Sequence, residues 1–370
     1  MAHKIAHLST VHKTFDTRIF LKECRSLAKA GYTMVFITSH EKNEVVNGVQ
    51  IRALPRSRNR LDRMTRLSLH MLVAALRERA DLYHFHDPEL LPVGILLSLG
   101  GKRVIYDAHE DVPKQIQDKK WLKPWFRSSM SRLVAVLQKI ASTTLSGIVT
   151  ATPDIAKNFP TAKTVVVKNY PLLDELQYVE REGTDHSLTN LVYIGGITEI
   201  RGAMEMLDAV ASLSEECPVR LRLAGPIHPP ELESRMRQHR GWKFCEYLGW
   251  LDREQINNLL ATSDIGLVPL HPARNHIRSL PIKMFEYMAS GLPVIASDFP
   301  LWREIVETSD CGILIDPQSP QAISEAVQWM IAHPHETAGM GRSGRKAIER
   351  DYNWQPEFEN MHQLYRRILS

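Results

Sequence analysis

Ser279-Leu-Pro-Ile-Lys-Met-Phe-Glu-Tyr-Met-Ala-Ser-Gly-Leu-Pro-Val-Ile-Ala-Ser-Asp298 reads as a capped helix running into a buried strand. Ser279 is a capping residue, Pro281 is tolerated in a first turn, Gly291 stops the helix and Pro293 prevents its continuation. Ile282, Phe285 and Ala289 then share one face, and Lys283 and Glu286 share another. One reading of that second face is a surface ion pair three residues apart, contributing roughly 0.2–0.5 kcal/mol. The other is a helix N-terminus whose free N–H groups meet a phosphate, with Glu286 one turn deeper to take ribose hydroxyls.

Outward from this stretch, short apolar runs rich in β-branched residues alternate with helical segments along the whole chain. Such alternation predicts parallel sheets covered by helices, an α/β class. In the first half, strands are expected at 4–8, 33–37, 82–86, 103–107, 147–150 and 164–167. A second series is expected at 191–194, 220–224, 244–248, 265–268 and 293–297, after an acidic, weakly periodic linker over 172–190. The reading is of two facing doubly wound domains with a cleft between them, ligands lying beyond the carboxyl ends of the strands.

With 370 residues, 44% hydrophobic and 24% charged, the chain is long enough for two cores. No apolar run reaches the ~20 residues needed to span a bilayer, and no secretory leader is read at Met1. Cys24, Cys217, Cys245 and Cys311 form no C-x-x-C pair, which argues against a disulfide framework or a structural zinc site and for a reducing cytoplasm. The net charge of +4 conceals an asymmetry. Residues 1–172 carry 27 Lys and Arg against 14 Asp and Glu, and the remainder 19 against 28. Two basic clusters stand out, one at Arg56, Arg58, Arg60, Arg63 and Arg66, the other at Lys119, Lys120, Trp121, Lys123, Trp125, Phe126 and Arg127. Interleaved Trp and Phe suit an anionic membrane surface, so a peripheral position at the inner face is an expectation alongside a plain solvated basic face. No nucleic-acid-binding module accompanies the charge, and nucleic acid is not expected as a partner.

Unusual residues collect at the predicted strand ends: Ser9 to Arg18, His84-Phe-His-Asp-Pro88, Asp107-Ala-His-Glu-Asp111, Ile194-Gly-Gly-Ile-Thr-Glu-Ile-Arg-Gly202 and Ala224-Gly-Pro226. Gly195 and Gly196 would let backbone amides approach an anion, with Arg201 adding charge in the following turn. His84 and His86 share one strand face, as metal ligands do, but the sequence places no third ligand. His109 lies just past a strand end, where a side chain can reach a ligand. The chain contains no Asp-x-Asp. Neutralising a leaving diphosphate then falls to Arg, Lys and helix dipoles rather than a magnesium clamp. Neither a P-loop nor a nucleophile elbow is present.

With these residues in view, the chain resembles the family-four retaining glycosyltransferases over nearly its full length. The opening stretch is close to a Ser-Leu-Pro-x-Lys-x-Phe-Glu-Tyr-Met-Ala-x-Gly-x-Pro-Val pattern of that family. The resemblance implies the GT-B fold: an acceptor-side Rossmann-like domain over 1–172, a nucleotide-sugar-binding one over 173–349, and a C-terminal helix over 350–370 packing back on the first. It implies transfer from a nucleotide diphospho-sugar, of the UDP-sugar type, to a saccharide or lipid-linked acceptor in surface polysaccharide assembly, with no cofactor and no metal. Glu286 matches the ribose-binding glutamate and Gly195 the phosphate-loop glycine, with Gly196 beside it. Lys283 and the segment Arg278, Ser279, Leu280, Pro281 and Ile282 are placed near the donor diphosphate and sugar. His109 matches the histidine near the transferred sugar, and Asp16 and Arg18 fall in the loop over the phosphates. His109, Arg201 and Lys283 are the candidate catalytic groups.

The chain also departs from the pattern. Arg278 stands where a sugar-contacting glutamate is common, Gly196 replaces an arginine, Arg201 replaces a lysine, and the first loop lacks a Gly-Gly pair. These departures keep two alternatives open, a nucleotide-sugar epimerase of related fold and a noncatalytic nucleotide-sugar-binding partner subunit.

Overall fold

Runs of Val, Ile and Leu bracketed by Gly, Pro and polar residues form the strands of two sheets in the computed structural model, which describes residues 2–118, 123–180, 188–213 and 217–370. The chain divides into two units, Met1–Asn169 together with Trp354–Ser370, and Tyr170–Asn353. The sequence reading put these divisions at 172 and 350. Lys119, Lys120 and Trp121 of the second basic cluster lie outside the described residues.

The first unit holds β1 (Lys4–Leu8), β2 (Thr33–Ser39), β3 (Glu44–Val46), β4 (Val49–Leu54), β5 (Leu82–Phe85), β6 (Arg103–Ala108), β7 (Gly147–Thr150) and β8 (Thr164–Val166). Their order is β3-β4-β2-β1-β5-β6-β7-β8, parallel throughout except for the β3–β4 pair. The second unit holds β9 (Thr189–Ile194), β10 (Val219–Ala224), β11 (Cys245–Gly249), β12 (Ile265–Val268), β13 (Val294–Ser297) and β14 (Gly312–Ile315), in the order β11-β10-β9-β12-β13-β14. Both sheets are Rossmann-like: winding reverses at the first strand of each, between β1 and β5 and between β9 and β12. Ligand crevices open at such reversals, because the crossover helices on either side lie on opposite faces.

Two features go beyond the expected strands. The β3–β4 hairpin turns through Asn47 and Gly48, both at positive φ, the two-residue connection that Asn-Gly favours. Its cue, Asn-Gly between paired valines, was present in the sequence. The edge strand β14 follows Cys311 and pairs with β13. Among the described residues, no helix is long and apolar enough to cross a membrane.

The helix in the opening stretch spans Ile282–Ala289 and its N-cap is Pro281, which offers no side-chain cap. The expected cap, Ser279, instead bonds backward: its hydroxyl and its N–H both donate to the His276 carbonyl at 3.2 Å, closing the end of the short helix Arg274–Ile277. At the other end Gly291 stops the helix as read. It adopts φ +74°, its N–H donates to the Met288 carbonyl (3.0 Å) and Leu292 N–H donates to the Tyr287 carbonyl (2.9 Å), a Schellman closure. A Cβ at Gly291 would lie 2.7 Å from the Tyr178 ring and 3.1 Å from the Val179 carbonyl. Gly291→Ala is therefore expected to destabilise the second unit by about 1–3 kcal/mol, combining left-handed strain with the clash. A lowered denaturation midpoint with unchanged m-value checks this.

Candidate active site

Helix and strand ends meet at the second unit's reversal. After β9 the chain passes through Gly195 at φ +101°, and the neighbouring strand β10 ends at Gly225, φ +143°, where a Cβ would fall 2.1 Å from the Gly195 carbonyl oxygen. Only glycine allows this approach of two strand ends. Arg201, in the turn before the helix Ala203–Leu213, donates from Nη1 to the Gly196 carbonyl at 3.0 Å, and the Tyr193 hydroxyl donates to the same oxygen at 3.1 Å.

Lys283 enters from the first turn of Ile282–Ala289. Its stem is partly exposed, but its Nζ is inaccessible, sits 3.3 Å from the centroid of the Tyr193 ring and has no hydrogen-bond acceptor. A Cβ on Gly195 would lie 3.6 Å from this nitrogen. Burial, with Arg201 adding repulsion, holds the Lys283 pKa well below its ordinary value, while Glu286 opposes the shift. The expected Lys283–Glu286 pair is absent. Glu286 is buried and accepts from Nη1 of Arg253, whose Nε lies 3.5 Å from Glu175. Arg253 opens a helix some thirty residues upstream in sequence, and no sequence cue pointed to it. Of the segment before the helix, Arg278 is exposed, Leu280 packs on the core, Pro281 is buried and Ile282 begins the helix.

The first unit places its polar residues at the matching reversal. His109, beyond β6, contacts Asp107 Oδ2 through Nε2 at 3.0 Å. Asp107 is buried, which by itself would raise its pKa, but Arg18 and His109 outweigh this and keep it ionised. Arg18 was expected over donor phosphates. It is instead buried and committed: Nε and Nη2 fork onto Asp107 at 3.0–3.1 Å and Nη1 donates to the Val167 carbonyl at 2.9 Å. Its donors are taken up inside the unit, so it is a support for Asp107. Asp16 caps the helical segment Thr17–Cys24, accepting from the N–H groups of Arg18 (2.9 Å) and Ile19 (3.0 Å), and lies 3.5 Å from His12. Asp87, past β5, draws in the loop after β1, accepting from the Ser9 hydroxyl (3.1 Å) and the Val11 N–H (3.2 Å). Gly195, Gly196, Arg201, Lys283 and Glu286 thus gather in the second unit, and His109, Asp16 and Arg18 belong to the first.

Two family descriptions match the two units: Glycosyltransferase Family 4 over residues 17–163 and Glycosyl transferases group 1 over residues 189–333. Together with a GT-B architecture, they make the chain a member of the family-4 type of glycosyltransferases. A D-rhamnosyltransferase of Pseudomonas aeruginosa, WbpZ, is 24% identical over 289 residues, 75% of this chain and 71% of its own length. A glycogen synthase of Mycobacterium tuberculosis is 23% identical over 177 residues, 47% of this chain and only 42% of its own length. Among solved structures, Anabaena HepE in complex with UDP-glucose superposes with a TM-score of 0.72 at 15% identity, covering 99% of this chain and 100% of its own.

An ammonium without an acceptor costs stability, so Lys283→Met should raise the thermal midpoint near neutral pH. Because the folded-state pKa of Lys283 is depressed, the unfolded chain binds the extra proton between that value and about 10.5. Wild-type stability should consequently rise with pH across that interval and close the gap to the variant, as melts at successive pH values would reveal.

Proposed function

We propose that the chain is a retaining, metal-independent glycosyltransferase that moves a hexosyl unit from a nucleotide diphospho-sugar, of the UDP-sugar type, to a saccharide or lipid-linked acceptor in surface polysaccharide assembly. The observation that carries this is the Lys283 ammonium, buried without an acceptor beside Gly195 at the reversal of the second sheet. An arriving diphosphate supplies the missing acceptor and moves the Lys283 pKa back toward its ordinary value. Arg201 and the N-terminal amides of Ile282–Ala289 add to the stabilisation of the leaving diphosphate. Glu286, kept beside Arg253, takes the ribose hydroxyls as donors. His109 meets the transferred sugar, and the first unit receives the acceptor.

Arg278 stands where a nucleophilic carboxylate would be needed for a covalent sugar–enzyme intermediate. The reaction therefore runs by attack on the same face: the bond from the anomeric carbon to the phosphate oxygen breaks, the bond to the acceptor oxygen forms, and the acceptor proton passes to the departing phosphate. The HepE complex with UDP-glucose supports the donor class, and the rhamnosyl-transferring relative supports the reaction class.

Glu286→Gln should weaken UDP binding by about 1–3 kcal/mol through loss of a charged hydrogen bond. Calorimetry with UDP reads this directly, and NMR of the product reads the anomeric configuration. Unchanged affinity would remove Glu286 from the site, and donor conversion without any acceptor would make the chain an epimerase.

We also infer a position on the anionic inner face of the membrane. In the helix Pro124–Thr144 the large apolar residues turned to solvent include Trp125, Phe126, Leu133, Val136 and Ile140, 40–68% exposed, with exposed Arg132 and Lys139 among them, while Ser131, Gln138 and Ser142 face inward. An outward apolar stripe flanked by basic residues fits a bilayer interface. Leu133→Glu combined with Val136→Glu should abolish co-sedimentation with vesicles containing about one third anionic lipid. Equal recovery of wild type with neutral and anionic vesicles would refute the placement.

A further inference from the structure

Below His109 lies a second cluster that sugar transfer does not use. His7 on β1, Glu23 on the helical segment Thr17–Cys24, and His84 and His86 at the end of β5 are all fully buried, at 0–2% exposure. One ring nitrogen from each histidine and one Glu23 oxygen lie within 4.8 Å of one another. Three of those atoms make a closed triangle: His7 Nδ1 to His86 Nε2 is 3.0 Å, and Glu23 Oε2 is 3.8 Å from each. Ligand atoms around tetrahedral zinc, with bonds of about 2.0–2.1 Å, are about 3.3 Å apart. Two unpartnered groups point to an occupant. Glu23 Oε2 and His84 Nε2 are buried and have no hydrogen-bond partner.

The surrounding shell is the one that metal-bound imidazoles require, in which the nitrogen not on the ion is held by an outer oxygen. His7 Nε2 lies 2.9 Å from the Tyr365 hydroxyl, and His84 Nδ1 contacts the same oxygen. His86 Nδ1 is within hydrogen-bond distance of His109 Nε2 at 3.3 Å and lies 3.4 Å from Asp107 Oδ2. Arg18 Nε lies 3.1 Å from Glu23 Oε1, but its N–H is donated to Asp107, so Oε1 is buried without a hydrogen-bond partner as well. The helix Trp354–Leu369 brings Tyr365 to this place from the far end of the chain.

We propose that His7, Glu23, His84 and His86 bind one divalent transition-metal ion of the zinc type, a site inside the first unit and separate from nucleotide-sugar binding. Occupancy replaces the His7–His86 hydrogen bond with two metal bonds and ties β1, β5 and the helical segment Thr17–Cys24 together. Through His86 and Asp107 it also reaches the support of His109.

The test is made on the full chain, freed of metal with a chelator and then titrated with zinc against a chromophoric competitor. One equivalent should bind, and X-ray absorption should show a shell of nitrogen and oxygen without sulfur, excluding the four cysteines. Glu23→Gln should weaken binding at least about tenfold. Tyr365→Phe, which removes only the outer hydroxyl, should weaken it about 10- to 100-fold, and it carries the test if Glu23→Gln does not fold. Substoichiometric binding in the wild type, sulfur in the shell, or the same affinity in Tyr365→Phe would overturn the proposal.

Discussion

Each sheet reverses its winding at its first strand, and the polar chemistry of this chain is arranged around that constraint. Parallel strands need crossover helices, and right-handed crossovers that start in opposite directions leave the ends of β1 and β5, and of β9 and β12, uncovered. Backbone amides and carbonyls at an uncovered strand end must find partners or face a ligand. In the second unit that demand is met by glycines. Gly195 after β9 and Gly225 after its other neighbour β10 let two strand ends approach until a methyl group could not fit. In the first unit it is met by carboxylates, with Asp87 gathering the loop after β1 and Asp107 gathering Arg18 and His109.

The class and most strand positions were legible because β-branched runs, Gly and Pro punctuation and strand-end residues all agree with one another. The opening helix and strand were legible for the same reason: Lys283 and Glu286 lie in the helix and Gly291 ends it, as spacing assigned them. What spacing could not supply was partnership. Glu286 is three residues from Lys283, yet it pairs with Arg253, because Lys283 leans toward Tyr193 and away from its helix neighbour. Arg18 read as a free cation in a phosphate loop, and burial beside Asp107 made it a strut. The β3–β4 hairpin was missed although Asn47-Gly48 announced it, and Ser279 capped the preceding turn because His276 presented a nearer carbonyl.

The buried histidines mark the limit of reading along the chain. His84 and His86 were visible as two residues on one strand face, and a third ligand was not. His7 reaches them because β1 and β5 pair with His7 opposite His84, a contact over 77 residues that only sheet order creates. Glu23 arrives from a helical segment whose entry is fixed by the Asp16 cap. Side chains that are separately unremarkable become a constellation through topology, and topology was the part of the fold that sequence spacing left open.

The two units treat buried charge in opposite ways. Around Arg18 the charges are closed: a forked guanidinium meets an ionised Asp107, while burial and the nearby Asp107 push Glu23 well above the carboxylate range. The guanidinium's donors are filled there without an anion. Around Lys283 it is open, with a cation resting on an aromatic face, a second cation in Arg201 nearby and no acceptor in reach. A ring face offers an ammonium about 0.5–2 kcal/mol, less than the several kcal/mol by which burial disfavours an ion. The shortfall is what a phosphate oxygen would supply, so the second unit holds its lysine at a cost to stability that the filled donors of Arg18 do not incur.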